Sequence, residues 1–532
     1  MKIQINKLLN RYYGALTLLV LLGAILRLFN LGYSDYQGDE IKAFLIPDQG
    51  QSVWNFLLTQ RKGPMQFIIT FLAKLILGGY DNQLLVRLPF ALAGIVSIYY
   101  FYKLIKEHFG NRISLYATLF FITNGFLIAF SRIVQYQSFV IMFMIGSLYY
   151  FTLASRKSEF QKKGIILGFV FWALSILSHY DGVFTAPFVL FLLFEWWKNS
   201  SLNKKEKIST IVVALVISGL MLASFYIPFV LSLSKETLSY WGGRLSGDVS
   251  GKISSSTYLF QVYQPIYVLH FYRILTVLGL FLAVLSFFEK KKIAKNIISK
   301  LRIMTVFNKG ALIAVLLWFA LPFIFMEKFV YIPGTHIYTY LIPLFVIISF
   351  GIYLVESLIK RVLGQRIGRS IFVYGISLMF VFIYLQVFAV FVDSSIEYPW
   401  REEKFFFWTF PKPNAVYHLS MFGFPYYRNW EGIRDFIKSD SIEDKTPPAY
   451  STNERKSLVR YYVPLEKSSN KAGYYIYIKD PQSFTNKITE EKSLYWTEKY
   501  NPDFTLSRNG EEIVKIYKMV PGSLKDVQQM GY

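Results

Sequence analysis

The chain has no cysteine among its 532 residues, which excludes a disulfide, a thiolate metal site and a cysteine nucleophile. Charge is also scarce. Asp, Glu, Lys and Arg make up 17% of the residues, whereas a soluble protein of this length carries roughly a quarter. There is no P-loop and no GxGxxG after a strand, so a nucleotide site is not expected. What is abundant is apolar: 54% hydrophobic residues, with 50 Phe and 39 Tyr, and a mean hydropathy of +0.36. These proportions exclude a disordered chain, a collagen-like fibre and a cytosolic multidomain enzyme. They leave a polytopic α-helical membrane protein.

The net charge of +23 comes from 57 Lys+Arg against 34 Asp+Glu. In a membrane protein this excess is accounted for by basic cytoplasmic connections rather than by a nucleic-acid partner. A hydrocarbon core of about 30 Å needs roughly 20 apolar residues per helix. Runs of that kind fall at 12–31, 84–106, 112–131, 135–154, 164–179, 182–197, 208–231, 266–288, 307–327, 336–356 and 370–392, or about eleven spans. The first looks like an uncleaved span, because Lys2, Lys7 and Arg11 precede it and no clear small-x-small cleavage site follows. A shorter stretch, 64–79, reads as a helix lying at the interface.

With the N-terminus inside, the cytoplasmic connections collect Lys103, Lys106 and Arg112, then Arg156 to Lys163, Lys198 to Lys207, Lys290 to Lys309 and Lys360 to Arg369. The opposite connections are poorer: Lys42, Arg61, Lys62 and Lys74, then Arg132, then Lys235, Arg244 and Lys252, then Lys328. That asymmetry sets the orientation and puts the C-terminal segment outside, giving a multi-pass protein of the plasma (inner) membrane. Residues 1–392 are then the membrane domain, with an outer loop at 32–83. Residues 393–532 form a soluble extracytoplasmic α/β domain. This second part carries Pro399, Pro411, Pro413, Pro425, Pro447, Pro448 and Pro464 and no spanning run. In it, "WEGIRDFIKS" places Trp430, Ile433, Phe436 and Ile437 on one helical face, and "GYYIYIKD" alternates like a strand.

Ionisable groups at or within a membrane are costly and each needs a reason. The densest set follows the first span, in "LGYSDYQGDEIKAFLIP", with Asp35, Asp39 and Glu40. A carboxylate there can act as a general base toward an attacking hydroxyl or amine. The bland alternative is a pair of acids that solvate a loop. Basic and histidine side chains recur at the outer ends of other spans: Lys62, Arg132, His179, Lys328 and His336. Such a layer suits an anionic lipid headgroup, with ordinary snorkelling as the alternative for Lys62 or Lys328 alone. His179, Tyr180 and Asp181 interrupt an apolar run. A helix break at membrane depth is tolerated where it is buried in protein or lines a wet cavity.

In order along the chain, "GDEIKAF", "KGPMQF", "RLPFALAGIVSIYYFYKLIKEHFG" and "SRIVQYQSF" resemble the GT-C membrane glycosyltransferases. The nearest branch is that of the protein O-mannosyltransferases and lipid A aminoarabinose transferases. The resemblance covers the first 200 residues well and extends loosely to 360. It implies the GT-C fold and transfer, inverting or retaining, of a sugar from a polyprenyl-phosphate donor to a lipid, glycan or protein acceptor on the outer face. By position it makes Asp39 the catalytic acidic residue, with Glu40 its companion, and puts Arg132 near the donor phosphate. Lys62, His179, Tyr180, Asp181, Lys328 and His336 are placed at the substrate by membrane depth. Family members often carry a His-Pro-Pro doublet where this chain has "KGPMQ". Some relatives use a divalent ion. Asp35, Asp39 and Glu40 offer oxygen ligands but form no DxD triplet, so no residue is assigned to a metal and none is taken as obligatory.

The expected partners are the lipid-linked donor, the acceptor and membrane lipids, with no nucleic acid. A rival class is a transporter or flippase of a lipid-linked saccharide, which would show repeat-related halves and helices broken near mid-bilayer. No such halves are visible, and the acids cluster at one surface. A receptor-like or scaffold protein would explain the C-terminal segment but not the acidic loop.

Overall fold

Each of the apolar stretches carries helix. The structure, a computed structural model, describes residues 2–246, 272–300, 307–331, 333–395, 397–398, 402–410, 412, 422–444, 449–463, 465–468, 473–482 and 487–519. The opening of the 266–288 stretch, Lys252, Arg302 and Pro399, Pro411, Pro413, Pro447, Pro448 and Pro464 lie outside the described residues. Among the described residues, six helices are long and apolar enough to cross a membrane: Gln83–Thr123, Gln137–Arg156, Lys204–Leu231, Lys309–Phe329, Gly334–Leu363 and Gln365–Phe391. The chain is thus a mostly helical, multi-pass membrane protein. Shorter apolar helices accompany them, including one at Met65–Leu77, within the 64–79 stretch where a helix is expected.

The elements that position the site are α1 (Lys2–Leu28), α2 (Gly38–Ile41), α3 (Val53–Thr59), α4 (Met65–Leu77), α5 (Gln83–Thr123), α6 (Gly125–Arg132), α7 (Gln137–Arg156), α8 (Lys163–Ser178), α9 (Ala186–Asn199) and α10 (Lys204–Leu231). Within α5, Gly110 adopts φ 82 and ψ 176, a conformation that only glycine takes without strain. It divides the element where the sequence divides two spans. Of those six long apolar helices, the one at Tyr338–Leu363 is the most enclosed. Its Tyr340, Leu341, Phe345, Val346, Ile347 and Phe350 are fully buried in the main core. The Lys204–Leu231 and Gln365–Phe391 helices instead show apolar faces such as Leu220, Leu231, Tyr374 and Leu378, as helices facing lipid do.

The C-terminal segment begins with a hairpin of β1 (Glu403–Phe405) and β2 (Trp408–Phe410). It continues as a five-stranded mixed sheet of β3 (Ala449–Thr452), β4 (Glu466–Lys467), β5 (Tyr474–Ile478), β6 (Phe504–Arg508) and β7 (Glu511–Lys518), in the order β4-β3-β5-β7-β6. β3 runs parallel to β4 and β5, while β5–β7 and β7–β6 are antiparallel. In the helix Trp430–Asp444, Trp430, Ile433 and Ile437 are buried, and Phe436 stacks on Phe504 with ring centroids 4.4 Å apart.

The strand expected at "GYYIYIKD" is β5, and both of its faces are covered. Tyr474, Ile476 and Ile478 join one core, and Tyr475 packs with Trp496 and Tyr517 in another. The first of these cores is shared with the acidic loop. It contains Tyr36, Phe44, Tyr80, Phe90 and Val134 together with Trp430, Tyr450 and Tyr462. The C-terminal segment therefore packs directly on the loop that carries Asp39.

Candidate functional site

The acidic loop is folded around one arginine. Arg87, the first residue of "RLPFALAG", is buried at the start of α5 and donates to the carbonyls of Leu31, Ser34 and Asp35, each at 3.0 Å. It also forms a two-point pair with Glu40, Nε to Oε1 and Nη2 to Oε2, both 2.8 Å. The same carboxylate accepts from the backbone N–H of Gln37 at 2.7 Å and of Val134 at 3.0 Å. Glu40 is fully buried and its oxygens are committed. Expected as the companion of Asp39, Glu40 in the structure neutralises Arg87 and fixes the loop.

Asp39, one residue earlier, points the other way. Its side chain keeps 16% of its surface accessible and pairs with Arg455 at 2.9 Å and Lys42 at 3.1 Å. Burial pushes its carboxyl up, but the cations of Arg455, Lys42 and Lys62 outweigh this and hold it below the usual carboxylate range. Asp39 is therefore ionised at neutral pH. Asp35 has the opposite fate. Its oxygen accepts from the Arg428 backbone N–H at 2.6 Å, and burial raises its carboxyl to about 6.

Gln135 links Asp39 to Lys62. Its Nε2 donates to the Asp39 carbonyl at 2.6 Å, and its Oε1 accepts from Lys62 Nζ at 3.2 Å. Lys62 also sits 5.1 Å above the Tyr136 ring. Burial lowers the Lys62 ammonium to about 8, with Asp39 opposing that shift. Gly63 sets this position. A Cβ there would run into the carbonyl of Leu177 at the end of α8, so only glycine lets the 61–64 turn lie against that helix end.

From Tyr136 the cluster passes to the break after α8. The Tyr136 ring stacks on His179 at 4.2 Å, and His179 lies 5.2 Å from His336. His179 caps the 3₁₀ turn Tyr180–Thr185 by accepting the Asp181 backbone N–H at Nδ1, 3.2 Å away. Asp181 is fully buried. Its Oδ2 meets His336 Nδ1 and accepts from the Tyr338 hydroxyl, both at 2.7 Å. The half-exposed Tyr180 ring covers His179 and stacks on His336 at 6.4 Å.

Six of the nine residues singled out from sequence thus meet at one end of the bundle: Asp39, Lys62, His179, Tyr180, Asp181 and His336. Arg132 does not join them. Its guanidinium donates to the carbonyls of Leu26, Phe29 and Asn30, at 3.1, 2.8 and 3.2 Å, and so caps the C-terminal end of α1. Lys328 is exposed near the end of the Lys309–Phe329 helix, and among the described residues no hydrogen bond or ion pair ties it to the cluster. Sequence reasoning missed Arg87, Gln135, Tyr136, Tyr338 and Arg455. The first three lie inside segments already singled out, "RLPFALAG" and "SRIVQYQSF", and Tyr338 lies two residues after His336. Arg455 has no such signal, because only the packing of the C-terminal segment brings it to Asp39.

The acidic loop does not fit a metal. Glu40 is saturated by Arg87, Asp35 is spent on the 428 amide, and Asp39 faces three cations. Oxygen and nitrogen ligands converge instead at His179, Asp181 and His336, whose ligand atoms lie within 4.8 Å of one another.

Residues 61–222 match the dolichyl-phosphate-mannose-protein mannosyltransferase family, and the resemblance to the GT-C membrane glycosyltransferases stands on that segment. Among solved structures, the chain is similar to ArnT from Cupriavidus metallidurans bound to undecaprenyl phosphate, at 11% identity over 96% of this chain and 98% of that one, with a TM-score of 0.46. It is similar to the oligosaccharyltransferase AglB from Archaeoglobus fulgidus in complex with an inhibitory peptide and a dolichol-phosphate, at 10% over 88% and 69%, TM-score 0.48. The S. cerevisiae protein O-mannosyltransferase Pmt1-Pmt2 complex bound to the sugar donor is similar at 14% over 42% and 33%, TM-score 0.32. No curated protein matches the chain.

Proposed function

We propose that this protein is a membrane glycosyltransferase that moves a sugar from a polyprenyl-phosphate donor to an acceptor at the end of the bundle where Asp39 lies. The supporting observation is a reachable, ionised carboxylate with a half-buried lysine beside it, whose ammonium donates to Gln135 while Gln135 donates to the Asp39 backbone carbonyl. The matched family supports the donor class, since its description names a lipid-phosphate-linked sugar. On this reading the chain has about eleven spans with its N-terminus inside, in the plasma (inner) membrane, and residues 393–532 form a domain on the outer side.

The acceptor oxygen or nitrogen attacks the anomeric carbon while the bond from that carbon to the phosphate oxygen breaks. The lipid phosphate departs with the electron pair, and the acceptor's proton passes to the Asp39 carboxylate. Lys62 has three N–H donors and gives one to Gln135, which leaves two for the charge that builds on the departing phosphate. Arg455 and Lys42 hold Asp39 by one oxygen and fix its direction. Glu40, through Arg87, positions the loop. No nucleotide is required, because the donor is already activated.

The test is donor consumption by purified protein across a small panel of polyprenyl-phosphate sugars. Wild type should consume at least one of them, and Asp39→Asn, inserted and folded, should lose that activity by about a hundred- to ten-thousand-fold. Wild-type turnover in the variant means that Asp39 is not the base.

A further inference from the structure

Asp181 lies outside the proposed proton transfer and presents an unusual arrangement. It is fully buried, yet its Oδ1 has no hydrogen-bond partner. His179 Nδ1 lies 3.1 Å away. In the tautomer that receives the Asp181 backbone N–H, that nitrogen carries a lone pair and has no proton to offer. Two lone pairs therefore face each other across 3.1 Å in a buried setting, where an unmet carboxylate oxygen is costly.

A shared cation removes this conflict. Two ligands of zinc, each about 2.0–2.1 Å from the metal in a tetrahedron, stand about 3.3 Å apart, close to the separation seen here. His336 completes a set of three, with all ligand atoms within 4.8 Å of one another. The Tyr338 hydroxyl, on Asp181 Oδ2 at 2.7 Å, supplies the outer-shell hydrogen bond that orients a ligating carboxylate.

We infer that His179, Asp181 and His336 form a binding site for one divalent transition-metal ion, of the zinc or cobalt kind. Two imidazoles and one carboxylate are a borderline ligand set, which selects such ions over magnesium or calcium. Three protein ligands leave a fourth tetrahedral position for water or an oxyanion. None of its ligands belongs to the acidic loop, and its occupancy does not depend on the proposed sugar transfer. It ties the α8–α9 turn to the 333–338 turn, which no covalent link joins.

Cobalt(II) is the probe. Tag-free protein in detergent is stripped with chelator, titrated with CoCl₂ and followed by visible absorption and by metal content after desalting. Wild type should retain one equivalent and show the d–d bands of a four-coordinate nitrogen–oxygen site. Asp181→Asn and His336→Ala should each weaken binding by at least tenfold, following the cost of losing one ligand in three. Asp39→Asn serves as the control and should bind as wild type does. Absence of retained cobalt in wild type overturns the site, and this result does not depend on how any variant folds. Binding that survives Asp181→Asn but is lost in Asp39→Asn also overturns it and moves the ion to the acidic loop.

Discussion

Asp39 and Glu40 are neighbours in sequence with opposite surroundings. Glu40 sits in a closed node. Every charge has a partner there, water is excluded, and Arg87 spends its donors on one carboxylate and three carbonyls. Asp39 sits in an open one, where three cations surround a carboxylate that retains access. A saturated buried pair holds a shape, because breaking it strands a charge. An over-neutralised, reachable pair has capacity left for a ligand, because its cations can turn to a phosphate without stranding anything. An acidic doublet in sequence thus divides into a fastener and a reagent once its surroundings are known.

The largest effect that tests this division is on rate. Asp39→Asn should reduce transfer by about a hundred- to ten-thousand-fold while the apparent unfolding temperature stays near wild type. Glu40→Gln should do the reverse, leaving Arg87 buried without its counter-charge at a cost of about 3–5 kcal/mol. A paired Glu40→Gln, Arg87→Met change should recover part of that loss, and thermal unfolding in detergent reads all three. If Glu40→Gln unfolds like wild type but loses turnover, the two neighbours have exchanged roles.

Much of this was legible in the sequence. Helices occupy the apolar stretches because an unbroken run of about 20 apolar residues leaves the chain few other choices in lipid. The polar interruption at His179 to Asp181 marked a turn for the same reason, and it is one. Arg132 is found capping the end of α1. A cation in a short connection reads as ready for an anion, but the ends of helices present carbonyls that compete for it. Arg455 had no sequence signal at all, because its partner lies 416 positions away and only the shared aromatic core of Tyr36, Trp430 and Tyr462 brings the two together.

Lys62 sharpens the open side of the division through pH. Burial lowers its ammonium to about 8, so it is charged below that pH and neutral above it. If its charge stabilises the departing phosphate, turnover should decline about tenfold per pH unit above 8 while the Asp39 carboxylate stays ionised throughout. Lys62→Arg keeps a charge at every accessible pH. It should retain activity and lose the alkaline decline, which a pH–rate profile of the two proteins would show. A decline that persists in Lys62→Arg assigns it to another group.

The smallest effect concerns Asp35, a third acid in the same loop that is closed off like Glu40 but lacks a side-chain cation within bonding distance. Burial raises its carboxyl to about 6, against a lowering by the Arg428 backbone N–H and guanidinium. The folded chain therefore holds this proton more tightly than the unfolded chain, whose carboxyl titrates near 4. As pH rises from about 4 to about 6 the unfolded state releases its proton first. This contribution to stability is present at the acid end, is lost through that window and stays lost above it. Asp35→Asn removes the charge and keeps an oxygen for the 428 amide. It should be more stable than wild type at pH 7.5 by at most about 3 kcal/mol, with the gap closing toward pH 4.5. A gap that stays constant with pH would mean that Asp35 is not held protonated by burial, and the loop would then contain two fasteners of different kinds instead of one fastener and one strained acid.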